Sequence, residues 1–315
     1  MRALLIVFYA LLVFGLGACA SRATQTEKWL SEGHPGIKTE TIIPGVAFVD
    51  QSAGYCGPAT LAMAMNHWGM ALDVNQLAPE VYHPKMKGSL QLDMVSASRR
   101  HKMMAVLIEG LPALFQELNQ GHPVIVFENL SVSWLPRWHY ALVFGYDQDH
   151  QQVVMHSGHE STKHWDMTRF ERSWMLGNYW GLVVLPPGQV APSAGEIANL
   201  TAAAGLEQLG FLKEAQLSYE SILNEWPQSL GALIGLGNLS FQNHNFKDSA
   251  GYLQRATFFH PQSAIAWHNL AIAQGTGGDL PSARKSAAQA IGLVSVDQRP
   301  AYLLDLKKWT QEPSP

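Results

Sequence analysis

One cysteine of this 315-residue sequence has neighbours that suit it for nucleophilic chemistry. Cys56 is followed directly by Gly57 and Pro58, and proline is favoured in the first turn of a helix. The segment therefore predicts that Cys56 lies at the N-terminus of a helix that ends near His67. Unpaired backbone amides and the helix dipole lower the pKa of a thiol there and favour its reactive thiolate. The alternative is that Cys56 is a small buried side chain without chemistry.

Two further side chains could complete a site around this thiol. Gln51 precedes Cys56 by five residues, and its amide could donate to a developing oxyanion alongside the backbone amide of Cys56. His139 opens a predicted strand over residues 139–146, directly after an aromatic loop, where a histidine can reach a cleft. Its imidazole could take the proton of the thiol. Most histidines in proteins are structural or solvated, so each of these assignments needs the fold to bring the residues together.

Along the chain, the elements that must position these residues are mainly helices at first and mainly strands afterwards. Helices are predicted over residues 57–67, 74–78, 90–100 and 111–120, and strands over residues 105–108, 124–127, 139–146, 153–156 and 182–185. This order is typical of an α+β domain, which we place at residues 42–187. Residues 188–195 are rich in proline, glycine and small residues and predict a linker.

Beyond the linker the sequence repeats with a period of 34 residues. The positions that keep this step are Pro227 and Pro261, Gly237 and Ala271, Leu236 and Leu270, the set Ala215, Ser249 and Ala283, and the set Leu212, Phe246 and Leu280. Small residues at fixed positions allow the two helices of a pair to approach closely. The pattern resembles tetratricopeptide repeats over residues 196–310, with a capping helix at residues 302–309. A helical bundle without repeats is the alternative.

The N-terminus predicts export. Arg2 precedes an apolar run over residues 3–16, which is too short to span a membrane and typical of a signal peptide. The run ends in a motif that resembles the bacterial lipobox, with cleavage after residue 18 and acylation of Cys19. We expect residues 19–41 to form a tether to a membrane. Ala20, rather than an aspartate, follows Cys19, and by resemblance to the sorting of enterobacterial lipoproteins this favours the periplasmic face of the outer membrane over the inner membrane. The alternative is a short membrane anchor with an incidental cysteine.

Composition and residue counts narrow the function classes further. The formal net charge is −4 and the sequence has no block of basic residues, so we predict that the protein has no nucleic-acid partner. Cys19 and Cys56 are the only cysteines, so Cys56 is the one thiol left after acylation. Four histidines crowd one stretch, at positions 150, 156, 159 and 164, but their spacings match no common zinc pattern. We predict no metal and no cofactor.

A family resemblance now joins these residues. The chain over about residues 42–185 resembles the bacteriocin-processing, double-glycine leader peptidases of the papain-like cysteine peptidase superfamily, in particular their free-standing members. The resemblance is carried by Gln51, by Cys56-Gly57-Pro58-Ala59, and by His139-Tyr140 leading into Gly145-Tyr146-Asp147. It implies a papain-like fold in which Cys56 attacks a peptide carbonyl, His139 carries the proton and Gln51 lines the oxyanion hole.

The sequence departs from this family at the third catalytic position. The family places an aspartate on the strand after that of the histidine, and residues 153–158 contain no carboxylate. A hairpin symmetric about Asp149 pairs Ser157 with Ala141, on the same face as His139, so Ser157 takes the position. A register shift of one residue would place His156 there instead.

Together these features predict a membrane-anchored cysteine peptidase that cleaves a peptide or protein in the cell envelope. The repeats would recruit a protein partner or the substrate, because stacked helix pairs form extended binding surfaces. The missing aspartate supports an alternative, in which the chain is a catalytically weak or inactive peptidase-like scaffold that binds peptides or proteins.

Overall fold

The computed structural model describes residues 22–51 and 54–310. The predicted signal peptide at residues 1–18 and Cys19 therefore lie outside the described residues. Within those two ranges, no helix is both long and apolar enough to cross a membrane.

Before residue 188, the described residues form six helices and nine strands. The helices are α1 (Thr24–Ser31), α2 (Cys56–His67), α3 (Val74–Val81), α4 (Gln91–Arg100), α5 (Leu111–Asn119) and α6 (Met167–Met175). The strands are β1 (Glu40–Ile42), β2 (Tyr82–His83), β3 (Gly88–Ser89), β4 (Met104–Glu109), β5 (Val124–Asn129), β6 (Trp138–Asp147), β7 (Gln152–Ser157), β8 (Glu160–Asp166) and β9 (Trp180–Leu185). These elements confirm the predicted α+β class.

Seven of the strands form one antiparallel sheet in the order β4-β9-β5-β6-β7-β8, and β1 pairs with the end of β6. The sheet is buried on both faces. Helices α2, α3 and α4 cover the face that carries Ile125 and Leu142, while α5 and α6 cover the face that carries Val126 and Val143. Consecutive residues of a strand point to opposite faces, so these central strands are almost wholly apolar, as strands buried on both faces require.

Part of the segment predicted as a tether, residues 19–41, packs against the domain. Residues 24–31 form α1, whose Trp29 is only 5% exposed and whose ring packs edge-on against Phe115 in α5. The backbone amide of Thr26 donates to the Glu171 carboxylate in α6, and β1 adds a strand to the sheet. A polar, glycine-containing stretch predicts a loop, but one tryptophan, one charge-assisted hydrogen bond and one short strand dock it onto the domain.

Four further elements are absent from the sequence-based prediction. The two-residue strands β2 and β3 form a hairpin beside α2, and β8 and α6 lie between the last two predicted strands. The edge strand β8 carries Lys163 and Trp165 among polar residues, so it shows no clear apolar alternation. Helix α6 begins at the side-chain cap of Asp166, which accepts from the backbone amide of Arg169.

From residue 195 to residue 310, the described chain forms only helices and the loops between them. It contains α7 (Gly195–Gln208), α8 (Leu212–Glu225), α9 (Leu230–Gln242), α10 (Phe246–Phe259), α11 (Ala264–Thr276), α12 (Leu280–Leu293), α13 (Arg299–Asp305) and α14 (Lys307–Thr310). Helices α8, α10 and α12 begin 34 residues apart, as the predicted period requires. Gly237, which shares its repeat position with Ala271, shows why a small residue is favoured there, because an added Cβ would lie 2.7 Å from the Leu253 side chain of the neighbouring helix. The resemblance to tetratricopeptide repeats stays a prediction.

The helical region packs directly onto the α+β domain. Leu206 of α7 is fully buried in the same apolar cluster as Met104 and Val106 of β4. Lys102 pairs with Glu214 at 2.9 Å across this contact. The predicted linker at residues 188–195 is therefore short and fixed at both ends rather than a spacer between separate bodies.

Candidate active site

Cys56 is the first residue of α2, as the sequence predicts. Only glycine fits the next position, because a Cβ on Gly57 would clash with the side chain of Ser89 in the β2–β3 hairpin. Burial raises the pKa of the Cys56 thiol, and the backbone amides of Tyr140 and Gly57 oppose that shift. The helix N-terminus is present, but desolvation exceeds its effect on the thiol.

His139 lies near the start of β6 and is largely enclosed. Burial, together with the positive charges of Lys163 and Arg137, lowers the pKa of His139 to about 4. Its Nε2 atom lies 3.1 Å from the hydroxyl oxygen of Ser157. The imidazole is therefore neutral at physiological pH, with a hydroxyl beside one ring nitrogen.

The structure places Ser157, and not His156, beside His139. Leu142 pairs with His156, which is the register that the symmetric hairpin predicts at this end of the strands. A bulge around Phe144 shifts the pairing by one residue toward the turn. The His156 ring points to the opposite side, with its nitrogens near the carbonyl oxygens of Val46 and Ser161.

Gln51 reaches the same region through the turn after β7. Its side-chain oxygen accepts from the backbone amide of Gly158 at 3.1 Å, and its own backbone amide donates to the Gly158 carbonyl. The side-chain nitrogen Nε2 of Gln51 is buried and has no hydrogen-bond partner among the described residues. A buried donor without a partner is costly, and it is available to an oxygen that enters the cavity.

These residues line one cavity of about 630 Å³. Its walls include Gln51, Cys56, His139, the β2–β3 hairpin and the aromatic side chain of Trp138. Among the described residues, the Cys56 thiol makes no hydrogen bond to the His139 ring. With the pKa of the thiol raised and that of the imidazole lowered, both groups rest in their neutral forms. A neutral base next to a nucleophile and a free oxyanion donor can carry out acyl transfer.

Sequence reasoning missed Glu128. This residue pairs directly with His139 across β5 and β6, so both side chains lie on one face of the sheet. Glu128 is fully buried, its Oε2 accepts from the Ser173 hydroxyl and its Oε1 has no partner among the described residues. Burial raises the pKa of Glu128 to about 7. A glutamate inside an apolar strand was the available signal, because buried carboxylates are rare away from functional sites.

The histidines that crowd residues 150–164 do not converge. His150 contacts Asp147 and His159 contacts Asp50, both at the surface, while His156 is held by backbone carbonyls. Within residues 22–51 and 54–310, no three histidine, cysteine, aspartate or glutamate side chains are grouped as metal ligands would be.

Solved structures with a similar fold include three peptidases. A candidate C39-like peptidase from Bacillus anthracis is 16% identical, with 46% of this chain and 97% of that chain covered and a TM-score of 0.39. The peptidase domain of ComA, a bifunctional ABC transporter of Streptococcus, is 22% identical, with 45% and 98% covered and a TM-score of 0.37. A double-glycine motif protease from an AMS/PCAT transporter, in complex with its leader peptide, is 20% identical, with 47% and 98% covered and a TM-score of 0.37.

A comparison with curated proteins finds no match to this chain. Residues 43–180 match the Peptidase_C39 like family, and this span contains Gln51, Cys56, His139 and Ser157. The α+β domain of this protein thus has a C39-like, papain-like peptidase fold and is followed by an all-helical region.

Proposed function

We propose that this protein is a cysteine peptidase that hydrolyses a peptide or protein substrate, with Cys56 as nucleophile and His139 as base. The observation that supports this most directly is the shared cavity, in which a thiol at a helix N-terminus, a neutral imidazole and the unpartnered amide of Gln51 meet. Each of these groups has one role in acyl transfer, and no other described cavity contains all three.

The neutral resting pair sets the order of the proton transfers. His139 accepts the thiol proton as sulfur attacks the scissile carbonyl, so a C–S bond forms while the carbonyl oxygen becomes an oxyanion. The side-chain amide of Gln51 and the backbone amide of Cys56 donate to that oxyanion. His139 then protonates the leaving amine as the C–N bond breaks. A water molecule, deprotonated by His139, hydrolyses the resulting thioester and regenerates the thiol.

Ser157 has a positioning role in this scheme. Its hydroxyl oxygen accepts the Nε2 proton of His139, which leaves Nδ1 unprotonated and able to act as the base. An uncharged hydroxyl orients the ring but stabilises the imidazolium less than a carboxylate would. The expected peptidase is therefore slower than one with an aspartate at this position.

A second candidate function is a peptide-binding scaffold without turnover. The same pKa directions favour it, since a raised thiol pKa and a lowered imidazole pKa both oppose the reactive ion pair. In this case the cavity would hold a peptide or protein without cutting it.

Alkylation kinetics and peptide hydrolysis separate the two candidates. The rate of Cys56 alkylation, measured against pH, reports how much of the thiol is present as thiolate. Peptide hydrolysis by the Cys56→Ser and His139→Ala variants reports whether the thiol and the imidazole take part in the reaction. The peptidase proposal expects each variant to lose at least about a hundredfold in hydrolysis, the scale of general-base catalysis, with an unchanged melting temperature. Undiminished turnover in either variant would contradict the assignment. No hydrolysis by the wild type, with peptides still bound, would establish the scaffold.

We also propose that Cys19 carries a lipid and anchors the protein to the periplasmic face of the outer membrane, with the helical repeats recruiting a protein partner. The lipobox resemblance and the apolar run before Cys19 support the anchor. Cys19→Ala should leave the precursor uncleaved and without acyl chains, which mass spectrometry detects. A wild-type protein without an acyl group would contradict this proposal.

A further inference from the structure

A second cavity, of about 570 Å³, lies beside the candidate active site. Its walls come from three elements: the loop over residues 130–137, strand β8 and helix α6. The loop carries Trp134, whose side chain is 80% exposed, and β8 carries Trp165. The proposed peptidase chemistry does not use this cavity.

The cavity concentrates positive charge in a protein of net negative charge. Among the residues that the structure describes, four basic side chains and no acidic one line it: Arg137, Lys163, Arg169 and Arg172. Within the described part of the chain, the side chains of Arg137 and Arg169 make no ion pair with a carboxylate.

In the described residues, the carboxylates near the cavity leave the side chains of Arg137 and Arg169 without an ion pair. Glu160 lies 3.6 Å from the Lys163 amine, which also sits 4.0 Å above the Trp165 ring. Asp166 caps the amide of Arg169 at the start of α6, and Glu128 is buried behind Ser173. Guanidinium groups that face a cavity without partners are suited to bind carboxylates, often with two parallel hydrogen bonds.

The cavity is coupled to the candidate base by both geometry and charge. Arg137 precedes His139 by two residues on the same chain segment, so their Cα atoms are about 7 Å apart in an extended strand. The charges of Arg137 and Lys163 also act on the imidazole and lower its pKa. An anion bound between these two side chains would offset that effect and make His139 a stronger base.

We propose that this basic cavity binds acidic side chains of the peptide substrate, within about four residues of the scissile bond given about 3.3 Å per extended residue. This inference rests on the proposed peptidase function and names the class of its substrate. The cavity is too small for a folded partner. Its arginine guanidinium groups suit the carboxylates of an extended acidic segment, and its two tryptophans suit the backbone of that segment.

Paired peptides test this proposal on the full-length protein. A quenched peptide library carries either Glu or Gln at each position within four residues of the reporter bond. We expect Glu on one side of that bond to raise kcat/KM by about tenfold through a lower KM, the scale of two partly exposed ion pairs. The double change Arg137→Gln and Arg169→Gln should abolish the preference, whereas the matched surface change Arg255→Gln should keep it.

Binding measured without turnover separates this inference from the peptidase proposal. The same Glu and Gln peptides, labelled with fluorescein, are titrated into full-length Cys56→Ala protein at two salt concentrations. Tighter binding of the Glu peptides that depends on Arg137 and Arg169 supports the cavity assignment, even if the wild type cleaves nothing and the peptidase proposal fails. Equal binding of Glu and Gln peptides, or binding of neither, overturns it. Circular dichroism verifies that the variants are folded.

Discussion

Desolvation dominates the chemistry of the individual residues at the candidate site. It raises the pKa of Cys56, lowers that of His139 to about 4 and raises that of Glu128 to about 7. Burial always favours the uncharged form of a titratable group. The helix N-terminus and the amide of Tyr140 act in the opposite direction on the thiol but are outweighed. The charged thiolate and imidazolium therefore have to form during the reaction rather than before it.

Replacement of Ser157 by aspartate tests how this balance responds to a carboxylate. Ser157 lies 3.1 Å from the His139 ring, so Ser157→Asp should raise the imidazole pKa and favour the ion pair with Cys56. One charge-assisted hydrogen bond contributes about 1.5 to 3 kcal/mol, which allows a gain in rate of roughly tenfold or more. Alkylation of Cys56 should become faster below neutral pH. Identical pH profiles for Ser157→Asp and the neutral control Ser157→Asn would contradict the placement.

Glu128 predicts a pH-dependent cost in stability. The pKa of Glu128 is raised from 4.5 to about 7 in the folded protein. The contribution of Glu128 to the free energy of unfolding is therefore fully present below pH 4.5, where the side chain is protonated, and is lost as pH rises through 7. The shift corresponds to about 3 kcal/mol. Relative to the wild type, Glu128→Gln should therefore gain stability by about that amount between pH 4.5 and pH 8, as measured by denaturant unfolding.

The same variant has an effect on the thiol. The charge of Glu128 raises the pKa of Cys56, so Glu128→Gln should move Cys56 alkylation to lower pH. The exposed change Glu109→Gln serves as the control and should alter neither property. An unchanged stability difference across the pH range would show that Glu128 stays ionised in the folded protein.

At the scale of elements, two local features decide what reaches the site. The bulge in β6 changes the register between the turn and the site, and so presents Ser157 rather than a neighbour to His139. Gly145 permits β1 to pair beside this bulge, since a Cβ there would lie 2.7 Å from the Thr41 carbonyl oxygen. A single irregularity in a strand thus selects which side chains face the site.

The junction between the two parts of the chain depends on one buried asparagine. Asn199 in α7 accepts from the amide of Ala191 and donates to the carbonyls of Ala191 and Gly195. Asn199→Ala leaves these backbone groups unpaired and should destabilise the protein by about 2 to 4 kcal/mol, as measured by denaturant unfolding. Thr201→Ala, on the exposed side of the same helix, should change stability by less than about 0.5 kcal/mol. Equal effects of the two changes would contradict this role.

At the scale of the whole molecule, the helical region completes the core of the peptidase-like domain. Leu206 in α7 and Tyr219 in α8 belong to the apolar cluster that contains the β4 side chains. The ion pair between Lys102 and Glu214 adds little, because exposed pairs contribute at most about 1 kcal/mol. Apolar burial therefore holds the two parts together, and the first helix pair acts as part of the domain.

Two truncated proteins test this integration. A fragment that ends after Pro187 exposes the β4 cluster and should lose roughly 10 °C in melting temperature or become insoluble, since each large buried side chain contributes about 1.5 to 3 kcal/mol. A fragment that ends after Pro227 keeps α7 and α8 and should melt close to the intact protein. Equal melting temperatures for both fragments would show that the domain folds without the first helix pair.

Local sequence by itself determined the features whose causes are local. Proline after Cys56 predicts the helix N-terminus because its ring presets the backbone for a first turn, and the structure begins α2 at Cys56. Apolar runs predict the strands of the central sheet, and the 34-residue period predicts the recurrence of helix pairs. These patterns indicate which face of an element is buried, because apolar side chains recur with the period of the helix or strand on its buried face.

The tertiary structure alone decided everything that depends on residues far apart in the chain. The docking of α1 rests on Trp29 meeting Phe115, and the burial of Glu128 rests on α6 covering β5. The bulge near Phe144, which shifts the strand pairing by one residue toward the turn, cannot be located by periodicity. The two cavities likewise take their shape and charge from loops brought together by the sheet. The free energies of such contacts depend on residues that are distant in the sequence and that no local pattern identifies. These contacts therefore could not be predicted from the sequence.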